Sequence, residues 1–195
     1  MNRFKRIAYS LFLALIPDAK VRTRFIKKHG LFGSVGKNCM IMSYILPLYS
    51  NLVYLHDNVR IASNVGFVTH DVIHHMLNRK SGEDKYVEKV GCIEIMNNVF
   101  IGSGTRILYN TRIGNNVIIG SASLVNKDIP DNSVYAGVPV RYICSFDEYV
   151  EKHRIYSENF REKFGRKGVY SMDDKLASML YEDFLKEREN EHTDL

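Results

Sequence analysis

The sequence predicts a mainly β fold: short parallel strands wound into a triangular coil, with helical extensions at both ends. Three observations carry this. Aliphatic residues return every six positions at Ile95, Ile101, Ile107, Ile113, Ile119 and Val125. Glycine follows three of them, as Gly102, Gly114 and Gly120, and Val99, Thr105, Thr111, Val117, Ser123 and Ile129 hold the fifth position of each repeat. Helical periodicity is confined to the two ends of the chain. A period of six matches neither an α-helix, at about 3.6, nor an isolated strand, at about two. It fits short strands joined by tight turns, each strand pointing one aliphatic residue inward. Three such strands close a coil of about eighteen residues, and stacked coils bury a ladder of aliphatic side chains. Gly and Asn suit the turns, where a positive φ is often required.

The 195 residues are 45% hydrophobic and 25% charged, enough to bury one core and unlike a disordered chain. Cys39, Cys92 and Cys144 lie too far apart for a disulfide scaffold or a Cys-x-x-Cys site. No apolar run reaches the roughly 18 residues of a transmembrane helix. The net charge of +5 raises the question of nucleic acid, which the location of the charge answers. Residues 1–30 carry eight basic side chains against Asp18 alone, residues 31–144 ten against eight, and residues 145–195 nine against thirteen. The surplus is in the head. The middle is nearly neutral and has no basic patch interleaved with aromatic residues, so no nucleic-acid partner is expected. These shifts divide the chain into a basic helical extension 1–30, a β-coil domain 31–144 and a charged helical extension 145–195.

The head reads as two short helices. Phe4, Ile7, Ala8, Leu11, Phe12 and Leu15 recur at helical spacing until Pro17 interrupts them. Asp18 caps a second helix, ended by Gly30, with Val21, Phe25 and Ile26 as its apolar stripe. Three readings stay open: a pair packed on the body, a helix lying on an anionic membrane surface, or a signal peptide, for which a small-residue cleavage site is lacking. The repeat also runs upstream, through Val35 and Ile41 and, after a shift of two, Leu55, Ile61 and Phe67. Between Phe67 and Ile95 it lapses. Residues 71–93 form a polar protruding loop, and a loop of that length in a compact domain points to function. The tail reads as helices over Asp147–Lys163 and Asp173–Arg188.

The hexads and the closing run Lys127-Asp128-Ile129-Pro130 to Ala136-Gly137-Val138-Pro139-Val140-Arg141 resemble the hexapeptide-repeat acyltransferases. Within them the chain is similar to the galactoside and maltose acetyltransferases and the polysaccharide O-acetyltransferases of bacteria. The resemblance covers about residues 35–145. It implies a left-handed parallel β-helix, a homotrimer, a cytoplasmic acetyltransferase that uses acetyl-CoA and no metal, and a sugar or glycan acceptor. The basic head would let such an enzyme sit at the inner face of a membrane. The stretch Thr69-His70-Asp71-Val72-Ile73-His74-His75 resembles the family's Gly-His-Pro-Val-His-His and assigns the catalytic base to His70, with one extra residue and Asp in place of Pro. Acyl transfer to a hydroxyl needs the proton removed during attack, and an imidazole is a usable base near neutral pH. A backbone N–H of a neighbouring coil would stabilise the oxyanion.

The same resemblance places Phe100 where the galactoside enzymes have Trp beside the pantetheine arm. Ser103, Ser121, Asn126 and Lys127 fall at positions touching the arm or the nucleotide, and Arg141 at an arginine near the phosphates. The family's next arginine is Cys144 here. On the acceptor side stand His74, His75, Ser50 and Asn51. The galactoside enzymes carry acidic residues one coil before the histidine, whereas Tyr49-Ser50-Asn51-Leu52 has no carboxylate, which argues for a different glycan. A metal site on His70, Asp71, His74 and His75 would ask adjacent residues to share one centre. Three alternatives remain: N-acetylation of a nucleotide-linked amino sugar, a zinc carbonic anhydrase on the same scaffold, and a non-catalytic β-helix.

Overall fold

A computed structural model of the chain describes residues 3–165 and 172–193, the side chains of 3 and 190–193 excepted. The remaining parts of both extensions, residues 1–2, 166–171 and 194–195, lie outside the described residues. Two compact units are present, Met1–Asp147 and Glu148–Leu195.

The first unit begins with α1 (Arg3–Ala14) and α2 (Ala19–Lys28). The first coil holds β1 (Ser34–Val35) and β2 (Met40–Ile41). A single short turn of helix, Ser50–Leu52, leads into the second coil of β3 (Val53–Leu55), β4 (Val59–Ile61) and β5 (Gly66–Val68). The excursion carries α3 (Ile73–Ser81). The coils resume with β6 (Ile93–Ile95), β7 (Val99–Ile101) and β8 (Arg106–Leu108), then β9 (Thr111–Ile113), β10 (Val117–Ile119) and β11 (Leu124–Val125). A hairpin of β12 (Ser133–Ala136) and β13 (Arg141–Ser145) closes the stack.

Three sheets form, ordered β1-β3-β6-β9, β13-β12-β10-β7-β4-β2 and β11-β8-β5, and every pairing is parallel except β12 with β13. The chain visits the sheets in turn. Val99 pairs with Val117, eighteen residues on, which is the coil expected from the sequence. Val59 pairs with Val99, forty residues on, so the excursion inserts twenty-two residues into one coil. Met40 pairs with Arg60, twenty on, which accounts for the shift of two in the upstream register.

All six anchors from Ile95 to Val125 are fully buried, as are Val99, Thr105, Thr111, Val117, Ser123 and Ile129 within a few per cent. This corrects the expectation of one inward residue per strand. In β7 and β10 the first and third residues both point inward and the middle one faces out, whereas in β5 and β8 it is the middle residue, Phe67 or Ile107, that is buried. The turns carry asparagine and glycine at positive φ as expected, Gly104 among them at +75°. Positive φ falls on Asn58, Asn98, Asn116 and Asn132, whose side-chain amides hydrogen-bond in a ladder at 3.0, 2.9 and 2.8 Å. Gly102 and Gly114 serve close approach instead. A Cβ on Gly102 would lie 2.4 Å from the Ser121 amide of the next coil, and one on Gly114 would lie 2.7 Å from the Asp131 amide.

The ends of a coil stack need caps. At the start, Leu13 and Ile26 join the core and Phe32 meets Phe67 edge-on at 5.7 Å. Thr23 of α2 accepts the Ile41 amide at 2.7 Å. Buried Arg22 donates to the Leu13 carbonyl at 3.0 Å and to those of Ile16 and Met42. It thereby ties the end of α1 and the loop after it to the first coil. Asp18 caps α2 by accepting the Val21 amide at 2.8 Å, as expected. The apolar stripes are corrected in part, since Ile26 is buried and Phe25 packs on the core as expected. In α1, Arg6, Tyr9, Ser10 and Leu13 face the body, while the stripe expected to pack is exposed. In α2, Arg22, Thr23 and Ile26 are buried and Val21 is exposed.

The second unit comprises α4 (Phe146–Phe164) from Glu148 onward and α5 (Asp174–Thr193). Aromatic rings of Tyr149, His153, Tyr156, Phe160 and Phe164 follow one another along α4. Lys163 pairs with Asp183 of α5.

Candidate active site

The excursion leaves the coil directly after β5, and its neck is a short antiparallel contact. His70 bridges Val90, the Asp71 amide donates to the Lys89 carbonyl at 3.0 Å, and the Gly91 amide donates to the Thr69 carbonyl at 3.0 Å. The expected protruding loop therefore contains a helix on a pinned neck. Asp71 supports the start of α3 by accepting the Ile73 amide at 3.2 Å, and Gly82 ends it with φ +71°. Asn78 ties the return segment down through Asp84, Lys85 and Tyr86.

His70 sits at this neck. Its ring meets Tyr49 edge-on, with centroids 5.3 Å apart. Tyr49 in turn donates to Glu88 Oε2 at 2.8 Å. A carboxylate thus reaches the neighbourhood of His70 from the excursion and not from residues 49–52. The hydrogen bond to Glu88 raises the Tyr49 pKa, because ionisation would set two negative charges together. A parallel pair lies next to it: Tyr109 donates to Asp71 Oδ2 at 2.6 Å, which lowers the Asp71 pKa and raises that of Tyr109. Thr69 Oγ1, His70 Nδ1 and His74 Nδ1 are buried without a hydrogen-bond partner among the described residues. Buried polar atoms in native proteins are nearly always bonded, so each orphan asks for an explanation.

The remaining acceptor-side residues gather nearby in part. Ser50 and Asn51 open the turn that follows Tyr49; Ser50 is buried and Asn51 exposed. His74 and His75 lie in the first turn of α3 with their rings 4.0 Å apart. Sequence reading gave no role to Glu88 or Tyr109 and did not foresee that they hold Tyr49 and Asp71. The contacts span 39 residues for Tyr49–Glu88 and 38 for Asp71–Tyr109, and no local motif marks them.

The residues expected on the coenzyme side occupy other parts of the coil. Phe100 is the outward residue of β7, between Arg60 and Ile118 in the ladder, and is 45% exposed. Ser103 and Ser121 are exposed at the same corner of successive coils, where the Ala122 amide donates to the Ser103 carbonyl at 2.8 Å. Asn126 and Lys127 follow β11. Lys127 lies over the Tyr135 ring at 5.6 Å, Tyr135 meets Tyr142 edge-on at 5.8 Å, and Arg141 pairs with Ala136 in the closing hairpin. Lys127 and Arg141 are therefore brought to the same end of the stack. No described hydrogen bond, ion pair or ring contact joins His70 to any of these residues. The corner itself is built from Gly102, Ser103, Gly104 and Ser121, Ala122, with no side chain larger than serine. Among the described residues, no cluster of three His, Cys or acidic side chains is placed to share a metal ion.

Comparison with known proteins agrees with this architecture. The family model described as bacterial transferase hexapeptide (six repeats) matches residues 93–127. Galactoside O-acetyltransferase of Escherichia coli K12 is 44% identical over 125 residues, 64% of this chain and 59% of that protein. The chain therefore spans about three-fifths of that relative's length. Protein CapG of Staphylococcus aureus is 36% identical over 130 residues, 65% of this chain and 73% of CapG. A solved galactoside acetyltransferase in complex with coenzyme A superposes with a TM-score of 0.59 at 28% identity, covering 76% of this chain and 82% of that one. With the repeat, the coil and these relatives in agreement, the chain belongs to the bacterial hexapeptide-repeat transferases.

Proposed function

We propose that the protein is an acetyltransferase that moves an acetyl group from acetyl-CoA to a sugar hydroxyl in surface polysaccharide or glycan biosynthesis. The observation that carries this reading is His70: an imidazole fixed by Tyr49 at the neck of the excursion, with a buried Nδ1 that no described residue satisfies. An acceptor hydroxyl is the kind of group that would satisfy it. Acetyl-CoA supplies the activated acyl carbon. His70 takes the hydroxyl proton as the oxygen–carbon bond forms, and returns it to the sulfur as the carbon–sulfur bond breaks. Tyr49 holds the ring, and Glu88 holds Tyr49. The carboxylate near the acceptor comes from Glu88, so the absence of acid in residues 49–52 does not leave this side neutral.

Two further parts belong to the same reading. The β-coil is left-handed, as in the resembling enzymes. The active form is a homotrimer in the cytoplasm, where acetyl-CoA is made. Trimerisation explains why Phe100, Ser103, Ser121, Asn126, Lys127 and Arg141 have no described contact with His70: each site would combine the excursion of one copy with the corner of another. N-acetylation of a nucleotide-linked amino sugar uses the same base and is the second reading.

The test is a screen with acetyl-CoA, following thiol release over free sugars, nucleotide sugars and lipid-linked glycans. Turnover with a hydroxyl acceptor, reduced about 10²–10⁴-fold in His70→Ala, is the expected result. Full activity in that variant overturns the assignment of the base. Turnover only with amino sugars establishes the second reading.

A further inference from the structure

The outward face of α1 is apolar, and no described residue covers it. At about 100° per residue, Phe4, Ile7, Ala8 and Leu11 fall within roughly 100° of arc, and Leu15 follows in the turn that ends the helix. Arg6, Tyr9, Ser10 and Leu13 lie on the other side and contact the body: Arg6 reaches the Leu46 carbonyl, Ser10 accepts the Leu46 amide, and Leu13 is fully buried. Phe4 is 84% exposed, Leu11 65% and Leu15 80%, with Ile7 and Phe12 nearly half exposed. A surface helix ordinarily turns its apolar stripe to the core; α1 turns its more polar side to the body and its apolar stripe to solvent. An exposed apolar patch of this kind marks an interaction surface.

The charge around the stripe identifies its occupant. α2 lies beside α1, joined by Phe12 and Phe25 with ring centroids 4.7 Å apart. Lys20, Arg24 and Lys28 recur every fourth residue, share one stripe of α2 and are exposed. The one acid of the head, Asp18, is occupied by the Val21 amide. A second copy of the chain docked on this stripe would set two heads, each with a surplus of seven positive charges, against one another. A surface of anionic lipid headgroups over acyl chains complements both the apolar stripe and the basic one.

We propose that α1 lies in the interface of an anionic membrane, its Phe4-Leu11-Leu15 stripe among the acyl chains and the α2 cations at the headgroups. This surface is independent of the catalytic reading. The test is flotation of the full chain with vesicles of phosphatidylglycerol and phosphatidylethanolamine, compared with phosphatidylcholine alone. Binding is expected to the anionic vesicles and to fall at high salt. Leu11→Gln/Leu15→Gln removes exposed side chains without touching the core. It is expected to weaken binding by roughly tenfold per leucine while leaving the melting temperature unchanged. Lys20→Gln/Arg24→Gln/Lys28→Gln should abolish the preference for anionic lipid, and His70→Ala should bind as the parent does. Equal flotation of the parent and Leu11→Gln/Leu15→Gln overturns the proposal. So does a parent that ignores both kinds of vesicle, or one whose mass in solution drops in Leu11→Gln/Leu15→Gln, which would assign the stripe to self-association.

Discussion

At the scale of single residues, Tyr49 illustrates how the excursion tunes the site. Its hydroxyl is committed to Glu88 and its ring edge to His70. Tyr49→Phe keeps the ring but releases Glu88. It is therefore expected to leave the fold intact and to reduce turnover less than His70→Ala does. Steady-state kinetics on the acceptor found by the screen check this, and a loss equal to that of His70→Ala would show that Tyr49 does more than position the ring. Gly114 is a second case. Any side chain there meets the Asp131 backbone at 2.7 Å and its carboxylate at 2.2 Å. Gly114→Ala should cost about 1–3 kcal/mol by overpacking, read from chemical denaturation.

At the scale of elements, the coil is held by its inward ladder and its corners. Ile107 of β8 and Ile113 of β9 are fully buried, so Ile107→Ala is expected to destabilise the first unit by about 2–5 kcal/mol. The corner asparagines combine left-handed backbone with amide-to-amide bonds. Asn98→Ala loses both and should cost more than Asn98→Gly, which retains the conformation; paired thermal melts measure the difference. On the first sheet, Glu94 accepts from His56 at 3.0 Å and from Arg112 at 2.7 Å, and these bonds, His56 first, lower its pKa. A carboxylate with a depressed folded-state pKa stabilises above its ordinary value of 4.5 and loses that contribution as pH falls through the lower value. The stability gap between parent and Glu94→Gln should thus be constant near neutrality and close in acid. Its size should be under about 1 kcal/mol, because the pair is partly exposed.

At the scale of the molecule, the core runs continuously from Leu13 of α1 to Val140 in the turn of the closing hairpin. Glu148–Leu195 forms a separate unit. A chain ending at Asp147 is therefore expected to keep the circular dichroism and the cooperative melting of the coil. Loss of cooperative melting would show that the tail is needed to cap the stack. If the site needs two copies, sedimentation of the parent should give three times the chain mass. Mixing His70→Ala with Arg141→Ala chains should then restore part of the activity that each variant lacks alone, since some sites would combine an intact His70 with an intact Arg141.

The sequence alone determined the period, the inward ladder and the place where the coil is interrupted. These follow from spacing along the chain, where a buried position repeats whatever lies across from it. It also singled out His70, through a local motif. Tertiary structure decided the rest. Gly102 and Gly114 proved to answer to the neighbouring coil, because a Cβ clash is set by a backbone eighteen or so residues away. Glu88 and Tyr109 entered the site through contacts across nearly forty residues. The stripe of α1 faces outward because Arg22 and Thr23 anchor α2 to the first coil, leaving α1 to present its more polar side to the body. Periodicity could say that the helix had an apolar face, but only packing could say which way it turned.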